Sequence, residues 1–151
     1  MRELERRMNQ TARRLPGYAS VTSMPGVGPV LGAMILAAIG DPSRFQHPRQ
    51  VPRLAGLDLC ARRSGKSSDQ AVPRISKQGN ASLRYALVQA ALIAGSRHRV
   101  MRTYFSKLLQ GREQERGIRR KMQVKLAAKF LVIAWTLMRR GDTFRPEPFM
   151  D

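Results

Sequence analysis

A loop rich in hydroxyl groups and cations is the part of this sequence best suited to chemistry. It begins with Ser64-Gly65-Lys66-Ser67-Ser68 and continues to Arg74-Ile75-Ser76-Lys77-Gln78-Gly79-Asn80. A serine hydroxyl can attack phosphorus or a carbonyl carbon when cations stabilise the charge on the oxygens under attack. The cations nearest Ser64 in the sequence are Arg62, Arg63, Lys66, Arg74 and Lys77.

The same loop excludes two familiar kinds of catalytic site. It contains no histidine and no pair of carboxylates, so an acyl-transfer triad is not predicted. Gly65-Lys66-Ser67 is reminiscent of a nucleotide-binding P-loop, but that pattern requires a glycine five residues earlier, where Cys60 stands. A phosphoryl transfer at this loop would therefore need groups from elsewhere.

The sequence predicts neither a metal cluster nor a disulfide. Cys60 is the only cysteine, and His47 and His98 stand apart from other ligand types. We predict that Cys60 is a small core residue and that the two histidines are surface or packing residues. No cofactor is expected in this chain.

The charge of the chain predicts a polyanionic partner. Twenty-eight Lys and Arg against ten Asp and Glu give +18 over 151 residues, with a pI near 11.7. An anionic membrane is disfavoured because the longest apolar run, residues 30–39, is far shorter than the roughly 20 residues of a spanning helix. Nucleic acid, no membrane and a cytoplasmic location are therefore predicted.

The basic residues are concentrated around the serine loop and on the last predicted helix. Between positions 59 and 112 there are eleven Lys and Arg, among them Arg84, and a single acid, Asp69. Lys121, Lys125 and Lys129 then recur every four residues, a like-charge stripe that bound phosphates would relieve. A solvated helix face is the alternative interpretation of that stripe.

Helical periodicity predicts an all-α fold. Leu4, Met8, Ala12 and Leu15 share one face of a first helix, residues 30–39 form an apolar helix, and apolar residues from position 81 onward indicate three more. The apolar positions expected in the core of these later helices are Leu83, Leu87, Ala90, Ala94, Tyr104, Phe105, Leu108, Leu109, Met122, Leu126, Phe130, Ile133 and Leu137.

Shorter elements and three segments complete the prediction. Residues 50–57 are expected to form a short helix that packs Val51, Leu54 and Ala55 on the helical hairpin formed by residues 18–39. Residues 57–61 and 72–76 are expected to form a minor β-hairpin around the loop. The first helix, 1–15, is predicted to be the end of a longer helix or coiled coil, 16–145 a compact helical domain, and 146–151 a tail without helical potential.

A glycine turn precedes the apolar helix. Met24-Pro25-Gly26-Val27-Gly28 joins a short segment to that helix and resembles the helix-hairpin-helix element of nonspecific DNA binders. In such a hairpin, Gly26, Val27 and Gly28 present backbone N–H groups to a phosphate. The alternative is that the glycines only allow two helices to cross closely.

Five motifs in order resemble the C-terminal half of insertion-sequence transposases of the IS110/IS116/IS902 family. They are Met24-Pro25-Gly26-Val27-Gly28-Pro29; Ile39-Gly40-Asp41-Pro42-Ser43-Arg44-Phe45; Ala55-Gly56-Leu57; the serine loop with Ile75-Ser76-Lys77-Gln78-Gly79-Asn80; and Leu83-Arg84-Tyr85-Ala86-Leu87. The resemblance spans nearly the whole chain.

The resemblance implies a serine-using recombinase that performs phosphodiester strand transfer in DNA transposition. Ser64 matches the serine that becomes joined to DNA, and Ser67, Arg74, Ser76 and Lys77 would line the site or hold the DNA backbone. The family's acidic RuvC-like domain, with its four metal ligands, has no counterpart here. Mg²⁺ is thus expected only with that domain, and we expect a truncated or split transposase with little activity of its own.

The resemblance also implies the partners. They are donor and target DNA, a structured guide RNA, and either a second copy of the chain or a partner acidic domain. Two other functions stay open at this point: a non-catalytic DNA- or RNA-binding module that inhibits an intact transposase, and a ribosome-associated RNA-binding protein.

Overall fold

The computed structural model describes residues 2–60 and 74–150. Within these ranges the chain is mostly helical with one small ribbon, which confirms the all-α class with a minor hairpin. The α-helices are α1 Arg2–Ala12, α2 Tyr18–Thr22, α3 Pro29–Ile39, α4 Ala81–Arg97, α5 Arg99–Leu109 and α6 Ile118–Arg140. Short 3-10 helices span Pro42–Arg44, Pro48–Ala55 and Glu147–Phe149, and the strands are β1 Leu59–Cys60 and β2 Arg74–Ile75.

Local capping residues set the ends of the long helices. The Asn80 side chain accepts a hydrogen bond from the Leu83 N–H at 2.9 Å and so opens α4. His98 both follows α4 and caps α5, because its Nδ1 accepts from the Met101 N–H at 3.4 Å. As a result α5 begins directly after this cap, at Arg99.

Helices α3, α4 and α6 enclose the main core. Phe130, Leu126 and Leu131 of α6 are fully buried, and α4 packs more extensively against α6 than against any other element. The predicted core positions of α4 are buried, and those of α6 are buried except for Ile133, which is half-buried. The 3.6-residue period of these segments therefore identified their inward faces correctly.

The Pro48–Ala55 helix packs on a different partner from the one expected. Val51 and Ala55 are fully buried as predicted, but the helix lies mainly against α6 and only marginally against α3. Periodicity identifies which face of a helix is buried, whereas the partner is chosen by how the chain folds back. Cys60 also differs from prediction, since it is half-buried in the ribbon and lies outside the core.

The amphipathic face of α1 is largely solvated. The helix ends at Ala12 rather than Leu15, and Ala12 is its only buried residue. Leu4 is 72% exposed, and Met8 and Leu15 also face solvent. The apolar spacing thus predicted the helix, but most of the stripe has no cover within the described residues.

The C-terminal segment is more structured than a tail. Glu147–Phe149 forms a 3-10 turn that buries Phe149, whose ring meets Tyr104 edge-on at 5.1 Å between ring centroids. The Phe144 N–H also donates to Ser23 Oγ at 2.7 Å. Two prolines exclude an α-helix there, as the sequence predicted, but they do not prevent packing of the two aromatic rings.

Trp135 joins α6 to the turn after α3, and this contact gives a stability prediction. Its Nε1–H donates to the Pro42 carbonyl oxygen at 2.8 Å, and the ring is 5% exposed. Trp135→Phe should lower the free energy of unfolding by about 2 kcal/mol, because a half-buried carbonyl loses its donor and packing volume is lost. Urea unfolding monitored by circular dichroism measures the change, with the exposed Tyr85→Phe as control. Equal stability of the two variants would contradict the prediction.

Candidate nucleic-acid interface and the foot of the serine loop

The structure describes the two ends of the serine loop. The predicted residues Arg62, Arg63, Ser64, Lys66 and Ser67 lie within 61–73, outside the described residues. Strands β1 and β2 pair antiparallel, with Leu59 opposite Ile75 and Cys60 opposite Arg74. Paired antiparallel residues have Cα atoms about 4.5 to 5.5 Å apart, so the loop leaves and re-enters the fold at one place.

Segments 54–58 and 76–80 form what we call the foot of the loop. The Asn80 N–H donates to the Leu54 carbonyl at 2.8 Å, and the Lys77 N–H donates to that of Gly56 at 3.0 Å. The Ser76 N–H donates to the Asp58 carbonyl at 2.8 Å. These three hydrogen bonds extend the pairing of the two segments beyond the ribbon, and they attach the end of the loop to the start of α4.

The foot is closed by two glycines that lie almost in contact. A Cβ on Gly79 would collide with the Gly56 nitrogen and would lie 2.6 Å from the Arg53 carbonyl oxygen. Gly56 has φ +61°, a conformation that most residues with a side chain avoid. Gly56 and Gly79, each part of a family-like motif, therefore have a packing reason that the sequence did not reveal.

An acid at the foot was missed by the sequence analysis. The Ser76 Oγ–H donates to Asp58 Oδ1 at 2.6 Å, and Ser76 Oγ in turn accepts from the Gln78 N–H at 3.3 Å. Asp58 precedes β1 and Ser76 follows β2, so only the pairing of the strands brings them together. Asp58 lies at the second position of the predicted strand 57–61, and an acid at the start of a strand was the available signal.

Lys77 has an unusual backbone conformation. Its φ is +56°, and it is the one residue other than glycine with a positive φ within residues 2–60 and 74–150. A left-handed conformation costs a non-glycine residue about 1 to 2 kcal/mol. Lys77 is exposed, so the conformation is not explained by burial of its side chain.

Two more predicted cations lie beside the foot in different surroundings. Arg74 is exposed at the end of the ribbon. Arg84 of α4 is half-buried, and its Nη1 donates to the Ala55 carbonyl oxygen at 2.9 Å. Arg84 thus has a structural bond that ties α4 to the foot, while Arg74 faces solvent.

The three lysines of the α6 stripe differ in their surroundings. Lys121 and Lys125 are exposed, whereas Lys129 Nζ donates to the Tyr104 hydroxyl at 2.7 Å. The same ammonium lies 4.4 Å from the centre of the Tyr104 ring and 4.7 Å from that of Phe149. Cation–π contacts of this kind stabilise a partly buried lysine, so Lys129 serves the core and is less available to a phosphate.

The basic charge continues over the connection from α5 to α6. Residues 112–121 include four arginines and Lys121 against two glutamates. Arg112 and Glu115 form a two-pronged pair at 2.8 Å, and this hydrogen bonding lowers the pKa of the Glu115 carboxyl below its usual value. The other cations of this connection are exposed, so a positive surface remains.

The two glycines of the turn between α2 and α3 differ in how closely they are packed. Gly26 has φ +79°, and a Cβ there would lie 2.5 Å from the Ala90 carbonyl oxygen, while Val27 is buried. Gly28 is exposed at the start of α3, with nothing within 4 Å of its would-be Cβ. Close packing therefore explains Gly26, and phosphate binding by this turn stays a prediction that depends on Gly28.

Two further kinds of site are absent from the described ranges. No three His, Cys, Asp or Glu side chains of residues 2–60 and 74–150 are grouped so that they could hold a metal ion. These described residues therefore do not fit a divalent metal. The helices of the same ranges are also too short or too polar for any of them to cross a membrane.

The fold and the candidate site define a class of protein. It is a basic, mostly helical domain with a hydroxyl-rich loop attached through a small ribbon. Residues 18–106 match the model of the family described as Transposase IS116/IS110/IS902 family. The chain belongs to this family.

Named relatives agree with that assignment. The chain is 31% identical to the transposase for insertion sequence element IS1111A of Coxiella burnetii over 95% of its own length and 38% of the relative's. It is 28% identical to the pilin gene-inverting protein of Moraxella bovis over 82% of its own length and 37% of the relative's. The chain thus spans well under half the length of these relatives, and it matches their C-terminal part.

Proposed function

We propose that this domain binds DNA and presents Ser64 as the nucleophile of phosphodiester strand transfer in transposition. The observation that supports the proposal best is the position of the serine loop. The ribbon and the foot fix its two ends. The stretch between positions 59 and 112, which includes the loop, contains eleven basic residues and one acid. The anchored ends attach the hydroxyls and cations of the loop to one place on a basic domain, where a phosphate can be bound.

The proposed reaction is a transesterification. The Ser64 hydroxyl oxygen forms a bond to phosphorus, and the bond from phosphorus to one deoxyribose oxygen breaks. The serine hydroxyl loses its proton and the departing oxygen gains one, so that no oxidant or reductant is needed. The cations beside Ser64 stabilise the negative charge on the phosphoryl oxygens in the transition state.

Other parts of the reaction are assigned to partners. The acidic RuvC-like domain that the family resemblance implies supplies the carboxylates and their Mg²⁺. A structured guide RNA and a second copy of the chain complete the proposed assembly. A chain with a formal charge of +18 is suited to both nucleic acids, because phosphate contacts release counterions whichever sugar the polymer contains.

Competition binding tests the nucleic-acid part of the proposal. Labelled duplex DNA is bound at several salt concentrations and then displaced with unlabelled duplex DNA or a structured RNA at matched salt. We expect duplex DNA to bind with an affinity that falls steeply as salt rises. A strict preference for ribosomal RNA over duplex DNA would contradict the proposal and favour the ribosome-associated alternative.

The lysines of α6 give a second prediction. Lys121→Ala and Lys125→Ala should each reduce the slope of log affinity for DNA against log salt by about 0.9, the value for one lost phosphate contact. Lys129→Ala should leave that slope nearly unchanged and lower the melting temperature instead, because its ammonium is bound by Tyr104 and Phe149.

The three variants are controls for one another, because each removes one lysine from the same helix. Equal changes in slope for the three variants would show that Lys129 leaves its aromatic partners to contact DNA.

A further inference from the structure

We infer that Asp58 is a positioning residue, which through Ser76 holds the left-handed corner at Lys77 so that the Lys77 ammonium contacts a DNA phosphate. The inference rests on the proposed function, since it requires DNA at the foot of the loop. It adds a role for an acid that the sequence analysis did not single out. It also gives a reason for the backbone conformation of Lys77.

The charge of Asp58 is wrong for direct contact with DNA. A carboxylate beside a phosphate chain repels it, and Asp58 lies at the foot of a strongly basic loop. Within residues 2–60 and 74–150, the ion pairs do not include Asp58. Its side chain instead accepts the Ser76 hydroxyl at 2.6 Å, so any contribution to DNA binding must pass through Ser76.

Ser76 transmits this contact to the neighbouring residue. Its N–H donates to the Asp58 carbonyl, and its Oγ accepts from the Gln78 N–H. The residues before and after Lys77 are therefore both hydrogen-bonded. The Lys77 N–H is itself bound by Gly56. With φ at +56° and both neighbours hydrogen-bonded, the Cα–Cβ bond of Lys77 has a fixed direction, and its side chain is exposed.

A fixed direction makes this lysine a better phosphate ligand than a lysine on a mobile segment. The four-carbon stem of lysine is flexible, and binding must offset the freedom that it loses. A corner that already fixes the backbone removes part of that cost. Loss of the Asp58 contact should therefore weaken the Lys77 contact without removing the lysine.

The test uses the sign of the change in DNA affinity. Removing an acid from a polycation should tighten DNA binding, and Asp142→Ala, an exposed acid after α6, measures this simple electrostatic effect. Asp58→Asn also removes the charge but keeps an oxygen that can accept from Ser76, so it should tighten binding in the same way. Asp58→Ala should weaken binding by about two- to fivefold, the size of one exposed ionic contact.

A double-mutant cycle shows whether the effect passes through Lys77. In a Lys77→Gly chain the corner no longer presents an ammonium, so Asp58→Ala should tighten binding as Asp142→Ala does. Lys77→Gly alone should lower the salt slope by about 0.9 and raise the melting temperature, because glycine adopts the left-handed conformation freely. Lys77→Arg should keep the slope.

The outcomes separate the inference from the proposed function. Tighter binding by Asp58→Ala in the wild-type background would overturn the inference while DNA binding itself stands. A wild-type chain without salt-dependent DNA binding would overturn the proposed function and the inference with it. If Asp58→Ala does not fold by circular dichroism, Ser76→Ala replaces it, with Ser76→Thr as the hydroxyl-keeping control, and the same weakening is expected.

Discussion

Ser64→Ala should abolish strand transfer and leave DNA binding intact. The change removes the proposed nucleophile but none of the cations, so the rate should fall by at least about a thousandfold while the dissociation constant for DNA changes little. Because the chain spans only part of its relatives, activity is measured with the N-terminal part of the Coxiella burnetii transposase, fused to this chain or added separately. Covalent capture of labelled DNA by the protein reports the serine linkage directly.

Ser68→Ala is the matched control for this experiment. It removes a hydroxyl from the same loop without touching the residue that the family resemblance assigns to the nucleophile, and we expect activity within a few fold of the wild type. Loss of activity in both variants would indicate damage to the loop as a whole. Full activity and covalent capture in Ser64→Ala would show that Ser64 is not the nucleophile, and the proposal for this domain would then be reduced to DNA binding.

Gly26→Ala should strongly destabilise the fold. The new Cβ would lie 2.5 Å from the Ala90 carbonyl oxygen, and the residue would have to keep φ +79°. Backbone strain and the displacement of α4 together should cost at least about 3 kcal/mol of unfolding free energy, more than the loss expected for Trp135→Phe. Urea unfolding at low salt measures the loss.

Gly28→Ala is the paired change two residues away. Nothing lies within 4 Å of its would-be Cβ and its φ is −82°, so the expected loss is about 1 kcal/mol, the cost of a poorer helix cap. If the turn holds a phosphate, this variant should weaken DNA binding although it stays folded. Unchanged binding by Gly28→Ala would favour the interpretation that the glycines serve only helix packing.

The helices of this domain were largely predictable from the sequence. The positions of Leu83, Leu87 and Phe130 repeat with the period of a helix, and these residues are buried in the structure. Asn80 and Gly141 mark a helix start and a helix end by local hydrogen bonding and backbone conformation. Such signals act within a few residues, so they can be read without knowledge of the tertiary fold.

The candidate site was only partly predictable. The cations and serines of the loop are a property of composition, and the +18 charge by itself indicated a polyanionic partner. The sequence could not show that Lys129 lies between Tyr104 and Phe149, since those residues are 25 and 20 positions away. One lysine of an apparently uniform stripe is therefore committed to packing.

The sequence alone determined the helical class, the basic character and the motifs that identify the transposase family. Only the tertiary structure decided that Asp58 meets Ser76, that Gly26 lies against Ala90, and that Lys77 has a left-handed backbone. Each of these depends on strand register or on the approach of two elements far apart in the chain. A helix period or a cap reports which face is buried, but it contains no information on which distant backbone will be pressed against that face.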